Sequence, residues 1–250
     1  MKIFPLSEGV FTIGHDKIMV PFDPEKDKLE NRPTGSLLVE IQPFLVQTRE
    51  QLILLDAGLG FRSKSGEWQI YENIRKHGFQ PKDVSLVLMS HLHKDHSGGL
   101  VLENSLGVQT TAFPNARYAI SALEFDYAMQ KGSPSYHVED FELLRHHPQT
   151  EWLDEKGQLA GIISYETYGG HCPYHLGIRI QEDGEIIFFG GDIAPQLKQL
   201  KTKYVAKYDY DGQRAMQVRQ EFAAKGREEG WTFLFYHDVK NAFARLEKFQ

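Results

Sequence analysis

The residues best suited to chemistry lie at the ends of apolar runs. QLILL stops at Asp56, and VSLVLMS runs into His91-Leu92-His93-Lys94-Asp95-His96. EIIFFGG stops at Asp192, and WTFLFY is followed by His237-Asp238. A strand that points into a site delivers its last side chain from a rigid base, which a metal ligand requires. In an extended segment His91 and His93 point to the same side and can share one ion. Asp95 and His96 are adjacent and can face a second ion once the chain turns into a helix, and Ser97-Gly98-Gly99 leaves the backbone room for that turn. Four strand ends of this kind, converging on one edge of a fold, predict a metal site.

Composition restricts the donor set. The 250 residues include eleven His but a single Cys, so an intramolecular disulfide, a Cys-based zinc ribbon and an iron–sulfur cluster are excluded. Any metal here must be held by imidazole and carboxylate. The formal charge of -6 comes from 28 basic and 34 acidic residues dispersed along the chain, which argues against a broad nucleic-acid surface. No apolar window is long enough for a membrane span, and MKIFPLSEGVF meets Ser7, Glu8 and Gly9 before a signal-peptide core could form. A cytoplasmic protein with a small-molecule substrate, no nucleic-acid or membrane partner and an open option of homodimerisation is expected.

The elements that position these residues are strands with helices interspersed. Strands are expected at Leu37–Val46, Gln51–Asp56, Val84–Ser90, Tyr118–Ile120, Gly161–Thr167, Leu176–Gln181, Glu185–Gly190 and Trp231–Tyr236. Helices are expected at Glu67–Gly78, where Ile70 and Ile74 are four apart and Gly78 can end the helix, and at Ala122–Lys131, Gln213–Lys225 and Val239–Phe249. Asp23–Gly35 reads as a loop. The polar, aromatic stretch 132–157 is irregular, with helical potential near Glu139–Arg145. The whole chain, 1–250, reads as one α/β domain, with a lid or cap expected around 128–158.

These motifs carry a family resemblance. SHLHKDHSGGL resembles the signature of metallo-β-lactamase-fold hydrolases. Gly170-His171-Cys172-Pro173-Tyr174-His175 is similar to their GHTPGH segment, with Cys172 in place of Thr and Tyr174 in place of Gly. Gly191-Asp192 resembles the GD pair after a strand, and Tyr236-His237-Asp238 the late His-Asp. The likeness runs in order from about Gly35 to Asp238. It implies a four-layer αββα sandwich of two mixed β-sheets flanked by helices. It also implies that His91, His93 and His171 hold one metal, that Asp95, His96 and His237 hold another, and that Asp192 bridges them. Asp56 would support a metal-bound His, the alternative being a strand-terminating Asp that caps the Gly turn. The cofactor expected is two divalent ions, zinc first, with Mn, Fe or Co also suited to a thiolate-free set.

Two cations about 3.5–4 Å apart can share a hydroxide at neutral pH, and Asp95 beside it would move the proton. The resemblance therefore implies a hydrolase of ester-type bonds. LLDAGLG, KHGFQPKDV and FPNARYAISALEF resemble the lactonase and methyl parathion hydrolase-like branch. Homoserine-lactone lactonases carry a Tyr shortly after the bridging Asp, whereas Ile193-Ala194-Pro195 follows Asp192 here, so lactones, carboxylic esters and phosphotriesters all stay open. A thioesterase of the hydroxyacylglutathione type and an iron-dependent oxidoreductase are the competing readings. His15, His77, His137, His146 and His147 read as solvated or packing residues, with His137 or His146 reaching the pocket only under a lid. His175 and Cys172 read as structural. Phe22, Phe61, Trp68, Tyr136 and Trp152 are pocket candidates that equally suit the core.

Overall fold

The computed structural model describes residues 1–104 and 106–247. The chain begins with β1 (Lys2–Pro5), β2 (Gly9–Ile13), β3 (Met19–Pro21), β4 (Leu37–Ile41), β5 (Phe44–Gln47) and β6 (Leu52–Leu55). Helix α1 (Gln69–Lys76), β7 (Leu86–Leu88), the one-turn α2 (Lys94–Ser97), β8 (Val101–Glu103), β9 (Gln109–Thr111), β10 (Arg117–Ser121) and α3 (Ala122–Lys131) follow. The second half contributes β11 (Thr150–Leu153), β12 (Lys156–Leu159), β13 (Ile163–Thr167), β14 (Leu176–Glu182) and β15 (Glu185–Phe189). It closes with α4 (Leu197–Lys201), α5 (Gly212–Glu229), β16 (Thr232–Leu234) and β17 (Phe243–Arg245).

Two six-stranded mixed sheets dominate, in the orders β1-β5-β6-β7-β10-β11 and β12-β13-β14-β15-β16-β17, with a three-stranded sheet β3-β2-β4 beside them. Period-two alternation assigns each apolar side chain to a layer. Ile53 and Leu55 of β6, Leu86 and Leu88 of β7, Ile187 and Phe189 of β15 and Leu234 of β16 fill the space between the sheets. Leu52 and Leu54, Val87, and Tyr118 and Ile120 turn outward against Ile70 and Ile74 of α1 and Phe125 of α3. Ile186, Phe188 and Phe233 turn outward against Val218 and Phe222 of α5. Strands apolar on both faces are thus explained by helices on both outer surfaces, which is the expected four-layer sandwich.

The final helix expected at Val239–Phe249 is not formed. Phe243–Arg245 is instead an edge strand antiparallel to β16, with Leu234 opposite Phe243. The Asp238 carboxylate accepts the N–H groups of Lys240 (2.9 Å) and Asn241 (3.0 Å), which turns the chain back onto the sheet. That pairing, with Leu246 buried, outweighs a helical spacing of apolar residues. The end of the expected helix, 248–249, lies outside the described residues. In the stretch read as irregular, two short 3₁₀ turns (Val138–Asp140 and Glu142–His146) precede β11, which adds to the sheet parallel to β10. Among the described residues no helix is long and apolar enough to cross a membrane.

One buried acid anchors the turn that follows β6. Glu8 is 4% exposed and accepts the Leu59 N–H at 2.7 Å. Burial pushes its carboxyl up from 4.5 to about 8, partly offset by that hydrogen bond. The folded state therefore holds this proton more tightly than the unfolded chain does. Stability from this group is full below about pH 4.5 and is lost as pH rises towards about 8. Glu8→Gln keeps the acceptor for Leu59 and cannot ionise. It is expected to gain stability relative to the parent as pH rises through that window, read from urea-unfolding midpoints at both ends. An identical pH slope in the two proteins would refute this.

Candidate metal centre

The chemistry-bearing residues meet where β6, β7, β15 and β16 end side by side. Asp56 follows β6 with φ +56, a left-handed conformation that turns its side chain back under the neighbouring strand end. Its Oδ1 accepts the Ser90 N–H at 2.7 Å, and its Oδ2 accepts the Ser90 hydroxyl and the His96 Nδ1–H, each at 2.7 Å. Asp56 thus fixes both the strand that delivers His91 and the ring of His96. The Gly-rich turns around it interlock backbone to backbone. A Cβ on Gly60 (φ +66) would lie 2.0 Å from the Gly98 carbonyl oxygen, and one on Gly99 would lie 2.2 Å from that of Ala57. LLDAGLG and HSGGL are therefore two halves of one contact that seats α2, with its Asp95 and His96, against β6.

The two expected sets of ligands do come together. Donor atoms of His91, His93, His171 and Asp192 lie within 4.8 Å of one another, as do those of Asp95, His96 and His237. Asp192 stands between the sets. Its Oδ1 is 3.0 Å from His237 Nε2 and 3.2 Å from His96 Nε2, while its Oδ2 is 3.2 Å from His171 Nε2. Asp95 Oδ2 lies 3.5 Å from His237 Nε2. Despite this crowding, His91 Nε2, His96 Nε2 and Asp192 Oδ1 are buried without an aligned hydrogen-bond partner. Ring nitrogens and a carboxylate oxygen that converge on a common point instead of on aligned partners fit a cation, and the nitrogen–carboxylate set suits a divalent one.

The electrostatics agree with that fit. Burial and neighbouring imidazoles hold His91 and His93 well below the usual histidine range, so both are neutral and able to ligate. Burial opposes protonation of His96, yet the charges of Asp192 and Asp95 outweigh it and hold the ring well above its ordinary value. Burial likewise pushes Asp192 up, but the charges of His237, His96 and His171 hold its carboxyl well below the usual range. Protons on the imidazoles thus stand in for the positive charge that the two carboxylates require.

Two of the clustered rings are oriented from behind. His237 Nδ1–H donates to the Glu40 carbonyl at 2.7 Å, and the Tyr236 ring stacks on His96 with centroids 3.9 Å apart. His175 is buried, accepts the Asp192 N–H at 3.1 Å on Nε2, and is held near 3 chiefly by burial. Its contact with the Asp192 N–H fixes the backbone beneath that carboxylate. Cys172 is also buried, with its thiol 3.4 Å from Glu124 Oε2.

Three participants escaped the sequence reading. Asp209 Oδ1 is 2.9 Å from His171 Nδ1, and its side chain is fully buried. Arg219, itself 1% exposed, lies behind it and donates to the carbonyl of Ile193, which follows Asp192, at 2.8 Å. Tyr208 lines the cavity over the cluster, a space of about 840 Å³ that also exposes His93, Asp95, His171, Asp192 and His237. The YDYDG run held a weak signal for Asp209, but its second Asp, Asp211, is the helix cap of α5, which is the more common use of such a residue.

His15, read as solvated, lines the cavity mouth, whereas His137 and His146 do not line it. Nor do the aromatic candidates Phe22, Phe61, Trp68, Tyr136 and Trp152. Tyr136 instead backs the His93 ring at 4.8 Å, and Trp152 packs on Phe125 at 4.9 Å.

Asp209→Asn leaves His171 without its anionic partner. Loss of such a partner is expected to weaken divalent-metal binding by about 10- to 100-fold while the far-ultraviolet spectrum is retained, as measured by competition with a chromogenic chelator. Unchanged affinity would show that His171 needs no partner.

The model of the Metallo-beta-lactamase superfamily matches residues 40–237. Among curated proteins, N-acyl homoserine lactonase AttM of Rhizobium radiobacter is 28% identical over 123 residues, which cover 44% of this chain and 41% of that protein. The chain thus spans less than half of AttM, whereas AiiB of Agrobacterium fabrum, also an N-acyl homoserine lactonase, is 23% identical over 72% of each chain. Among solved structures, a probable metal-dependent hydrolase from Staphylococcus aureus superposes with a TM-score of 0.79 at 22% identity, covering 98% of this chain and 92% of that one. AidC, a dizinc quorum-quenching lactonase, gives 0.70 at 21% identity, covering 98% and 90%. With the family model running from β4 to the last clustered histidine, the chain belongs to the metallo-beta-lactamase superfamily.

Proposed function

We propose that this protein is a dinuclear metal-dependent hydrolase of ester-type bonds: lactones, carboxylic esters or phosphotriesters. The observation that carries this reading is the convergence of buried, unpartnered donor atoms of His91, His96 and Asp192 within one cage of imidazoles and carboxylates. His91, His93 and His171 would hold one ion and Asp95, His96 and His237 the other, with Asp192 between them and Asp56 behind His96. Zinc suits this set, and the pair of ions would activate a water molecule and polarise the scissile carbonyl or phosphoryl oxygen.

The chain's own residues then manage protons and orientation. Asp95 reaches the cavity, where it takes the proton given up as water adds to the electrophilic carbon or phosphorus. It returns that proton to the leaving oxygen as the ester bond breaks. Tyr208 accepts a hydrogen bond from Gln199 Nε2 at 3.2 Å, which leaves its own O–H free to donate into the cavity. Burial holds that phenol above its usual range, so it remains a donor throughout neutral pH. A tyrosine arriving from the loop before α5 can thus serve a substrate oxygen, although Ile193-Ala194-Pro195 supplies none. The names of AttM and AiiB favour a lactone among the candidate substrates.

A zinc-loaded sample assayed on chromogenic esters, lactones and phosphotriesters is expected to turn over at least one class. A single bound iron with no turnover of any of them would overturn the reading. Asp192→Ala is expected to lose metal and activity together, and full activity in that variant would refute the cage. Tyr208→Phe is expected to lower kcat by about 10- to 100-fold with a smaller change in KM, the pattern of a donor felt mainly in the transition state. A change in KM alone would assign Tyr208 to ground-state binding.

A further inference from the structure

The walls of the cavity over the cluster are chemically uneven. The three-stranded sheet supplies apolar side chains, among them Ile13 of β2, Met19 of β3 and Leu37 and Val39 of β4. The remaining rim carries Lys17, Lys94, Lys198 and Lys207. Apart from Asp95 and Asp192 of the cluster, no acidic side chain among the described residues lines this space, in a chain whose formal charge is -6.

None of these four ammonium groups pairs with a carboxylate among the described residues, where Lys26, on Asp23, is the one lysine that does; what sets the four apart is that they gather around one cavity. Lys17 Nζ donates to the Ser135 hydroxyl at 2.6 Å and Lys94 Nζ to the Lys17 carbonyl at 2.8 Å. These contacts orient two of the charges without neutralising them. The nearby carboxylates are engaged elsewhere. Asp16 accepts the Ile18 N–H at 3.1 Å, Asp209 faces His171, and Asp238 accepts the Leu197 N–H at 2.9 Å.

Unpaired like charges around one concave mouth repel each other and focus a field into it, an arrangement that raises the local concentration of anions. A neutral substrate would use the apolar wall and leave the lysines idle. We infer that the substrate carries an anionic group on an arm away from the scissile bond, read by Lys17, Lys94, Lys198 and Lys207, with an apolar segment lying on β2, β3 and β4. This inference rests on the hydrolase reading for its chemistry, but the charge recognition can be measured separately.

The zinc-loaded protein should be assayed on two 4-nitrophenyl esters of matched length, one ending in a methyl group (hexanoate) and one in a carboxylate (adipate monoester). Binding of the corresponding amides, hexanamide and adipamate, should be followed by NMR titration. The anionic member is expected to lead by about tenfold in kcat/KM and in affinity at low salt, with the advantage shrinking as ionic strength rises. The ratio should fall towards one in the Lys198→Met/Lys207→Met double variant and persist in Lys198→Arg/Lys207→Arg. Ester turnover without preference for the anion, or a preference that the Met variant keeps, would overturn the inference and leave the hydrolase reading standing. Lysine-dependent binding of adipamate without turnover of either ester would do the reverse.

Discussion

Four imidazoles and two carboxylates are buried, with the half-buried His93 beside them, their donor atoms crowded on one point, and the rest of the structure holds them in that unfavourable state. Buried polar groups without partners are costly, and buried carboxylates more so. The cost is met by rigidity behind the ligands. Asp56 fixes Ser90 and His96, Asp209 faces His171, the Glu40 carbonyl accepts the Nδ1–H of His237, and His175 holds the backbone of Asp192. Each of these contacts reaches a ligand from the protein side and leaves its other donor atom facing the common centre.

The same demand explains the arrangement of the sheets. Ligands on strand ends are as rigid as the strands beneath them, and β6, β7, β15 and β16 are apolar on both faces because helices cover their outer surfaces. Gly60 and Gly99 let two turns approach closely enough for α2 to seat Asp95 and His96 in line with the strand ends. The cavity above is completed by the small sheet of β2, β3 and β4 on one side and by α4 and the loop before α5 on the other.

The cage was legible in the sequence because strand ends advertise themselves. A run such as VSLVLMS must stop, and the residues at the stop are those the site uses. Asp209, Tyr208 and Arg219 were not legible for the opposite reason. They sit on a loop and on a helix face with no periodic pattern pointing to the cluster, and their roles depend on where α5 docks. The C-terminal segment failed in a different way. Its apolar spacing suits a helix, but the Asp238 turn and the open edge of β16 decide the outcome, and neither is local to the segment.

The position of His237 has a consequence for the order of assembly. β15 and β16 are parallel neighbours, so the intervening chain must travel through α4 and α5 before the last imidazole can arrive. On arrival that residue is tied to Glu40, a partner almost two hundred positions away. The segment with His91, His93 and His96 is carried by β7 between its parallel neighbours β6 and β10, but the circuit around the centre closes only when the far more distant contact of His237 with Glu40 is made. Such closures are slow because the loop entropy is spent before the contact returns anything. Completion of the cage therefore hangs on one distant pair of residues, and any change that keeps β16 from docking beside β15 would leave His91, His93 and His96 without their fifth imidazole.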